Sequence, residues 1–404
     1  MKEEDKHLAT ELVFGVLRHC LLLDWILSAK SQRSLCKLDS EVLLALRLGA
    51  YQIFFLSRIP VRAVVHESVE LVKKAKLTSA AGYVNAILRK IDKQKAHARI
   101  NELPLDSSGG LSIRFSHPEW LVERWIHQFG LEPTKRLLEH NNTPPRIFFR
   151  INSPHLSHAT LVKMLAEAGV SVRSHALSND ILEVTEGSLQ ETGLFREHAI
   201  HIQDSGSQLI PPLLRLKPKD RCLDLCAGPG GKASQIACLQ DGHAMVCAAD
   251  LHWHRLRLGR NLHTNHWPCL QWVAADATRP LPFNILFDKI LLDAPCSGTG
   301  TLQRRPEIRW RLQQARLPEF QELQFSLLCN AVNYLKPGGT LVYSTCSLEP
   351  EENEQVLERF INAQPEYFVD LPPEGTLKPL FNSSRFLTLF PPATNTDGYF
   401  AAIQ

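Results

Sequence analysis

Hydrophobic positions recur every three to four residues through the first quarter of the chain, the spacing of amphipathic helices. Four segments carry this spacing: residues 8–30, 39–59, 60–76 and 78–92. Asp39 and Thr78 are candidate N-caps, and Pro60 suits a first helical turn. We therefore expect an all-helical domain over residues 1–105, with a polar linker at 93–110.

The pattern changes in residues 111–200, where period-two and helical spacings alternate. Residues 146–152 and 181–187 predict strands, and residues 158–169 predict a helix that ends at Gly169. This order predicts a small α+β domain with an RRM-like layout.

From residue 201 onward, short apolar runs alternate with helical segments. The apolar runs are residues 221–226, 244–250, 271–276, 289–296 and 340–346. Runs of this length between helices are typical of buried strands in a doubly wound parallel sheet. We therefore expect an α/β domain over residues 201–404.

Composition narrows the class of protein. The chain has 404 residues, a net charge of +3 and ten cysteines without a C-x-x-C pair. Free thiols without an export signal indicate a cytoplasmic protein, and we expect no metal site. No apolar run is long enough for a membrane span, and a monomer is the default expectation.

A glycine-rich turn follows the first strand of the α/β domain, at Cys226-Ala-Gly-Pro-Gly-Gly-Lys232. Glycines let the backbone approach a ligand closely, and the next helix offers free N–H groups. Asp250 ends the following strand, where an acid would bind ribose hydroxyls. Asp276 ends the third strand and is placed to accept a hydrogen bond from an adenine amino group, or to cap a helix. A nucleoside cofactor is predicted; a nucleotide triphosphate P-loop fits poorly.

Two cysteines end the next two apolar runs, Cys296 and Cys346. Either cysteine alone is more typical of a buried core residue. Because both lie at strand ends beside the cofactor loop, the pair indicates covalent catalysis. A thiolate added to carbon-6 of a pyrimidine makes carbon-5 nucleophilic towards a methyl sulfonium. Asp293 is placed to hydrogen-bond the base, and Lys232 is placed to balance charge on the ring or to lower the pKa of a neighbouring thiol.

Several motifs in order closely resemble the Sun/Fmu (RsmB-type) RNA cytosine carbon-5 methyltransferases. They are residues 203–208, 223–232, 248–250, 291–300, 304–310, 341–354 and 397–403. The resemblance implies a NusB-like domain over 1–105, the α+β domain over 111–200 and a Rossmann-like class I methyltransferase domain over 201–404. It also implies that the substrate is one cytosine of 16S ribosomal RNA.

The same resemblance assigns roles to residues. Cys346 would be the nucleophile, Cys296 would assist product release, and Asp293 and Lys232 would contact the base. The residues that would line the S-adenosylmethionine pocket are Cys226, Ala227, Gly228, Pro229, Gly230, Gly231, Lys232, Asp250, Asp276 and Asp293.

The chain departs from this family pattern in two places. The glycine loop reads Ala-Gly-Pro-Gly-Gly where Ala-Ala-Pro-Gly-Gly is commoner, a change expected to be silent. The helical domain begins late, as though one or two helices of a NusB-like fold were missing. This second departure bears on RNA affinity more than on catalysis.

Basic residues cluster in two places. Arg304, Arg305 and Arg309 follow the Cys296 motif, and we expect them to contact RNA phosphates. The lysines at 73, 74 and 76 either contact RNA or coat a solvated helix face. Trp310 either stacks on a flipped base or lies in the core.

Other functions remain open from the residues alone. A nicotinamide-dependent oxidoreductase fits the glycine loop but leaves the two cysteines unexplained. A non-catalytic NusB-like RNA-binding factor would not need them, and DNA cytosine methylases usually carry Pro-Cys-Gln where this chain has Pro-Cys-Ser. Methylation of tRNA or another RNA by the same mechanism is the alternative within the family.

Overall fold

The structure is a computed structural model that describes residues 3–263, 266–372 and 375–404. It divides into two compact units: Met1–Pro144 with Leu302–Gln314, and Pro145–Thr301 with Ala315–Gln404. The α-helices are α1 Glu3–Arg18, α2 Cys20–Ser28, α3 Ser40–Phe55, α4 Val61–Lys74, α5 Ala81–Arg89, α6 Lys93–Asn101, α7 Ser108–Phe115, α8 Glu119–Phe129, α9 Leu131–Asn142, α10 His158–Glu167, α11 Gly193–Arg196, α12 Ser205–Gln208, α13 Gly231–Leu239, α14 Trp253–His263, α15 Ile308–Arg311, α16 Leu317–Ala331, α17 Glu354–Ala363 and α18 Pro391–Thr394.

The strands form two sheets, both in the second unit. They are β1 Phe148–Ile151, β2 Ser171–His175, β3 Ser178–Glu186, β4 Ile200–Ile202, β5 Cys222–Leu225, β6 Val246–Asp250, β7 Leu270–Ala274, β8 Phe287–Asp293, β9 Leu335–Thr345, β10 Leu387–Leu389 and β11 Tyr399–Ile403. Within the described ranges, no helix is both long and apolar enough to cross a membrane.

The first unit is helical, as the spacing of its apolar residues predicted. The predicted helix at 8–30 is divided into α1 and α2 at His19, and α3, α4 and α5 match the other three segments. Asp39 occupies the N-cap position of α3 without a side-chain hydrogen bond. Leu23, Leu46 and Leu88 are fully buried in the core that these helices share.

The predicted linker at 93–110 is wrong, because α6 and the start of α7 lie there. The Asp92 side chain caps α6 by accepting from the amides of Gln94 and Lys95, at 3.0 and 3.1 Å. Helices α7 to α9 follow within the same unit, so the helical part extends to Pro144 rather than to residue 105. Buried apolar residues at helical spacing, among them Leu121, Val122 and Trp125, account for this extension.

The α+β part begins at Pro145 with a four-stranded antiparallel sheet in the order β2-β3-β1-β4. The predicted strands and helix at 146–152, 181–187 and 158–169 correspond to β1, β3 and α10. Phe149, Leu161 and Leu182 are buried between the sheet and α10. Strand β2 escaped prediction because most of its residues are polar and at least partly exposed.

The larger sheet has the order β10-β11-β9-β8-β5-β6-β7, and all five predicted strands are present in it. Strands β5 to β9 are parallel, whereas β10 and β11 pair antiparallel at one edge. Strand β5 lies between β6 and β8, so the strand order reverses beside it. In open parallel sheets, ligands bind beyond the carboxyl strand ends at such a reversal.

Candidate active site

The glycine loop leaves β5 at Leu225 and enters α13 at Gly231. Gly230 has a φ of +96°, a conformation that side chains rarely adopt. A Cβ on Gly228 would lie 2.8 Å from Asp250 Oδ2 and 2.7 Å from Arg255 Cβ. Gly230 is therefore required by its backbone conformation, whereas a side chain at position 228 would need Asp250 and Arg255 to shift.

Asp250 fastens this loop to the end of β6. Its carboxylate accepts from the amides of Gly228 and His252, at 2.9 and 2.8 Å, and lies 3.3 Å from Arg255 Nη1. The side chain is almost fully buried. Each carboxylate oxygen has further lone pairs, so bracing the loop leaves acceptor capacity for a ligand.

Asp276 follows β7 in a tight local turn. Its Oδ1 accepts from the Thr278 amide at 3.0 Å and from the Thr278 hydroxyl at 2.6 Å. These hydrogen bonds, the hydroxyl first, hold the pKa of the Asp276 carboxyl below its usual value. Asp276 therefore stabilises a turn rather than capping a helix, because residues 275–286 between β7 and β8 contain no helix. Its Oδ2 lies 3.4 Å from Arg279 Nε.

Lys232, Asp293 and Ser344 form one polar chain across α13, β8 and β9. Lys232 Nζ donates to Asp293 Oδ2 at 2.7 Å, and Ser344 Oγ donates to Asp293 Oδ1 at 2.9 Å. Burial by itself lowers the pKa of Lys232, but the charges of Asp293, Tyr399 and Cys346 outweigh it and raise the pKa above its ordinary value. Lys232 is therefore a buried ammonium, 5.2 Å from the centre of the Tyr399 ring.

The two predicted cysteines meet at the carboxyl ends of β8 and β9. The Sγ atoms of Cys296 and Cys346 are 3.3 Å apart, and both cysteines are free thiols. The hydrogen bond with Cys346, then burial, then the charges of Cys346 and Glu352 raise the pKa of Cys296 well above its ordinary value. Cys296 consequently keeps its proton at neutral pH and is able to donate it.

Two buried acids near these residues were missed from the sequence. Asp224 in β5 is fully buried, and neither carboxyl oxygen has a hydrogen-bond partner. Burial, and then the charge of Asp293, raise the pKa of Asp224 well above its ordinary value. Glu352 is also fully buried, and it accepts from Ser297 and Ser347. The available signal for Asp224 was one acid inside an otherwise apolar run.

Arg309 was predicted to contact RNA, and this prediction is wrong. It is 1% exposed and lies within the helical unit. Its guanidinium donates, at 2.7–3.2 Å, to four oxygens: the carbonyls of Arg18, Ser116 and Asn141 and the side-chain oxygen of Asn142. Burial lowers the pKa of Arg309 to about 9.

The other basic candidates differ from Arg309 in exposure. Arg305 is exposed and Arg304 is half-buried, so their predicted RNA contacts stay predictions. Trp310 donates from its indole to the Leu17 carbonyl at 2.8 Å. Lys73, Lys74 and Lys76 lie on an exposed helix end. Within the described ranges, no three His, Cys, Asp or Glu side chains group as a metal site.

Three family models match the chain in the order of its domains. The NusB family matches residues 1–93, a ferredoxin-like domain of RsmF/B-like methyltransferases matches 117–188, and the 16S rRNA methyltransferase RsmB/F model matches 211–403. A Bacillus subtilis (strain 168) protein described as probable ribosomal RNA small subunit methyltransferase B is 32% identical over 410 residues, 99% of this chain and 90% of that protein.

The chain belongs to the RsmB/F methyltransferase family. A second relative, ribosomal RNA small subunit methyltransferase B of Escherichia coli O6:K15:H31, is 33% identical over 89% of this chain and 83% of its own length. Membership confirms the predicted fold: a NusB-like domain, a ferredoxin-like domain and a methyltransferase domain. It also excludes a nicotinamide oxidoreductase and a non-catalytic NusB-like factor.

Solved structures agree with this RsmB/F assignment. A methyltransferase homologue from Pyrococcus horikoshii is 31% identical, with a TM-score of 0.62 over 72% of this chain and 96% of its own. The protein PH0851 has a TM-score of 0.84 over 100% of this chain and 90% of its own, at 23% identity. NSun6 from Pyrococcus horikoshii, crystallised with SFG, has a TM-score of 0.63 at 20% identity, over 71% of this chain and 97% of its own. The last two support the fold alone.

Proposed function

We propose that this protein methylates carbon 5 of a specific cytosine in 16S ribosomal RNA, through a covalent bond between Cys346 and the base. The observation that carries the proposal is the pair of thiols 3.3 Å apart, beside the partly buried Lys232–Asp293 pair. One thiol suffices for a nucleophile, whereas two in contact suit formation and release of an adduct.

The carboxyl groups around the glycine loop fit S-adenosylmethionine. Asp224, Asp250, Asp276 and Asp293 lie in or directly after four adjacent parallel strands. Carboxyl groups there match the ammonium, the ribose hydroxyls and the adenine amino group of this molecule, and the buried Asp224 carboxyl lacks any other partner. When bound, S-adenosylmethionine supplies an electrophilic methyl group.

The chain's own residues account for the remaining steps. The Cys346 thiolate bonds to carbon-6 of the cytosine, which turns carbon-5 into a nucleophile. Asp293, held by Lys232 and Ser344, accepts a hydrogen bond from the amino group of the base. After methylation, carbon-5 loses its proton and the carbon–sulfur bond breaks, returning the electron pair to Cys346. Cys296 accepts the carbon-5 proton while it gives its own thiol proton to the departing Cys346 sulfur 3.3 Å away, so both thiols end the step protonated.

Substitution of each cysteine by alanine separates these roles. Cys346→Ala should abolish both methyl transfer and covalent adducts, because no thiolate remains to attack carbon-6. Cys296→Ala should leave attack intact and accumulate a protein–RNA adduct that survives denaturing gels. Methyl transfer from labelled S-adenosylmethionine and gel shifts would be measured with 16S ribosomal RNA and with tRNA, and only the former should react.

The exposed cysteine Cys36 provides the control, since Cys36→Ala should leave both readouts unchanged. Adducts with Cys346→Ala but not with Cys296→Ala would reverse the assignment of the two thiols. Methylation of tRNA in preference to 16S ribosomal RNA would favour the alternative substrate.

A further inference from the structure

Glu352 places a buried carboxylate beneath both cysteine loops. It ends the 3-10 turn Pro350–Glu352 and is fully buried. Its Oε2 accepts from the Ser297 amide at 2.7 Å and from Gln324 Nε2 at 3.0 Å. Its Oε1 accepts from the Ser347 hydroxyl at 2.6 Å and also from the Ser297 hydroxyl. Four donors therefore converge on one side chain, and hydrogen bonds to a charged group are the strong ones.

The serine donors to Glu352 belong to the two residues that directly follow the thiols in the chain. Ser297 comes after Cys296, and Ser347 comes after Cys346. The two serine hydroxyls are 3.0 Å apart, so Glu352 joins the loops at the residues next to the thiols. A shift of Glu352 would change the separation of the sulfur atoms, because each serine that it binds is the residue next to a cysteine.

The loop of Cys346 has further support of its own. Asn353 Nδ2 donates to the Ser347 carbonyl at 3.0 Å, and the Thr345 hydroxyl donates to Asn353 Oδ1 at 2.6 Å. The loop of Cys296 relies on Glu352 more heavily, since Ser297 donates two hydrogen bonds to the Glu352 carboxylate. Gln324 Nε2 also donates to the Pro295 carbonyl of this loop at 2.9 Å, and Gln324 itself donates to Glu352.

We propose that Glu352 is a positioning residue that holds Cys296 against Cys346 for the release of the methylated base. The proposal rests on the proposed function and deepens it, since it concerns the last step of the same reaction. Glu352 touches neither thiol by hydrogen bond and acts through Ser297 and Ser347. Its loss therefore impairs release more than attack.

The test is Glu352→Gln, which keeps the shape of the side chain but replaces one acceptor by an amide donor. If that amide group faces a donor of Ser297 or Ser347, the two donors repel each other and one cysteine loop is displaced. We expect kcat to fall about a hundredfold, the loss typical of a misplacement of roughly 1 Å. The KM for RNA and the affinity for S-adenosylmethionine should stay within about twofold. A denaturation-stable RNA adduct should accumulate, as is also expected with Cys296→Ala.

Two further variants keep the test decisive. Ser297→Ala removes one bond to Glu352 without changing charge, and it should accumulate the adduct to a smaller extent if Glu352→Gln fails to fold. Glu358→Gln makes the same chemical change on the exposed face of α17 and should behave as the native enzyme.

The outcomes separate this inference from the proposed function. Suppose that Cys296→Ala traps an adduct, whereas Glu352→Gln and Ser297→Ala either turn over normally or lose kcat without trapping one. The proposed role of Glu352 is then refuted, and the proposed function stands. If Cys346→Ala still forms adducts, the thiol mechanism itself fails.

Discussion

Four oxygen atoms surround the guanidinium of Arg309, and they belong to three separate parts of the helical unit. The carbonyl of Arg18 ends α1, that of Ser116 follows α7, and Asn141 and Asn142 end α9. Carbonyls at helix ends lack partners within the helix, so one cation satisfies several of them at once. Arg309 thus cross-links helix ends rather than reaching into solvent.

Removal of this cross-link should destabilise the helical unit. Arg309→Ala leaves four buried acceptors without donors, each of which costs about 1–3 kcal/mol. We expect a clear fall in the midpoint of thermal unfolding, followed by circular dichroism. The reference variant is Arg305→Ala, which should change the free energy of unfolding by less than about 0.5 kcal/mol because Arg305 is exposed.

The Arg305→Ala variant also tests the RNA contact that is still predicted for Arg305. If this side chain binds a phosphate, Arg305→Ala should flatten the salt dependence of RNA binding by about 0.7–0.9 in slope. A slope identical to that of the native protein would remove Arg305 from the interface.

At the level of elements, buried histidines make the second unit sensitive to acid. His263 at the end of α14 stacks with Trp272 of β7, at an interplanar angle of 12°. Burial, and then the charge of Arg150, lower the pKa of His263 to about 4, and burial lowers the pKa of His201 to about 3. Their neutral forms are therefore the ones that pack between these elements.

Acid should unfold this part of the protein. Since the folded pKa of His263 lies below the unfolded value of about 6.5, the unfolded chain binds the proton first, and stability is lost as pH falls from about 6.5 to 4. Each such histidine contributes up to about 1.4 kcal/mol per pH unit in that window. His263→Phe should reduce the pH dependence of the unfolding midpoint, whereas His243→Phe at an exposed position should not.

Some helices and strands can be placed from the local sequence, and others cannot. Strands β5 to β9 were predictable because burial on both faces leaves near-continuous apolar runs. The meeting of Cys296 and Cys346 followed from this, since β8 and β9 are neighbours in the sheet. Helix α6 was missed because its residues are mostly polar, with Ala96 and Ile100 buried. Glu352 could not be found, since nothing in a local pattern marks a charge that is buried by tertiary contacts.

At the scale of the whole molecule, the chain leaves the catalytic unit and returns to it. Residues Leu302–Gln314 follow the Cys296 loop but belong to the helical unit. Leu302, Ile308 and Leu312 are buried there. The two units are therefore not consecutive pieces of sequence, and the domain limits predicted at 105 and 201 do not separate them.

Truncation should reveal this organisation. Deletion of residues 1–144 removes the partners of Leu302–Gln314 and exposes its apolar side chains, so we expect an aggregating protein. The same deletion with residues 302–314 replaced by a Gly/Ser linker should give a monomeric sheet that keeps its affinity for S-adenosylmethionine. Size-exclusion chromatography and calorimetry would compare the two; equal solubility would show that this segment needs no helical partner.

The returning segment also affects the order in which the protein is completed during translation. The first 144 residues leave the ribosome well before Arg309, because residues 145–301 are synthesised in between. At elongation rates of about 5–20 residues per second, this interval lasts roughly 10–30 s. During it, the helix ends that Arg309 joins have no cation to bind, so the nascent helical unit stays incomplete until the cysteine loop of residue 296 has already emerged.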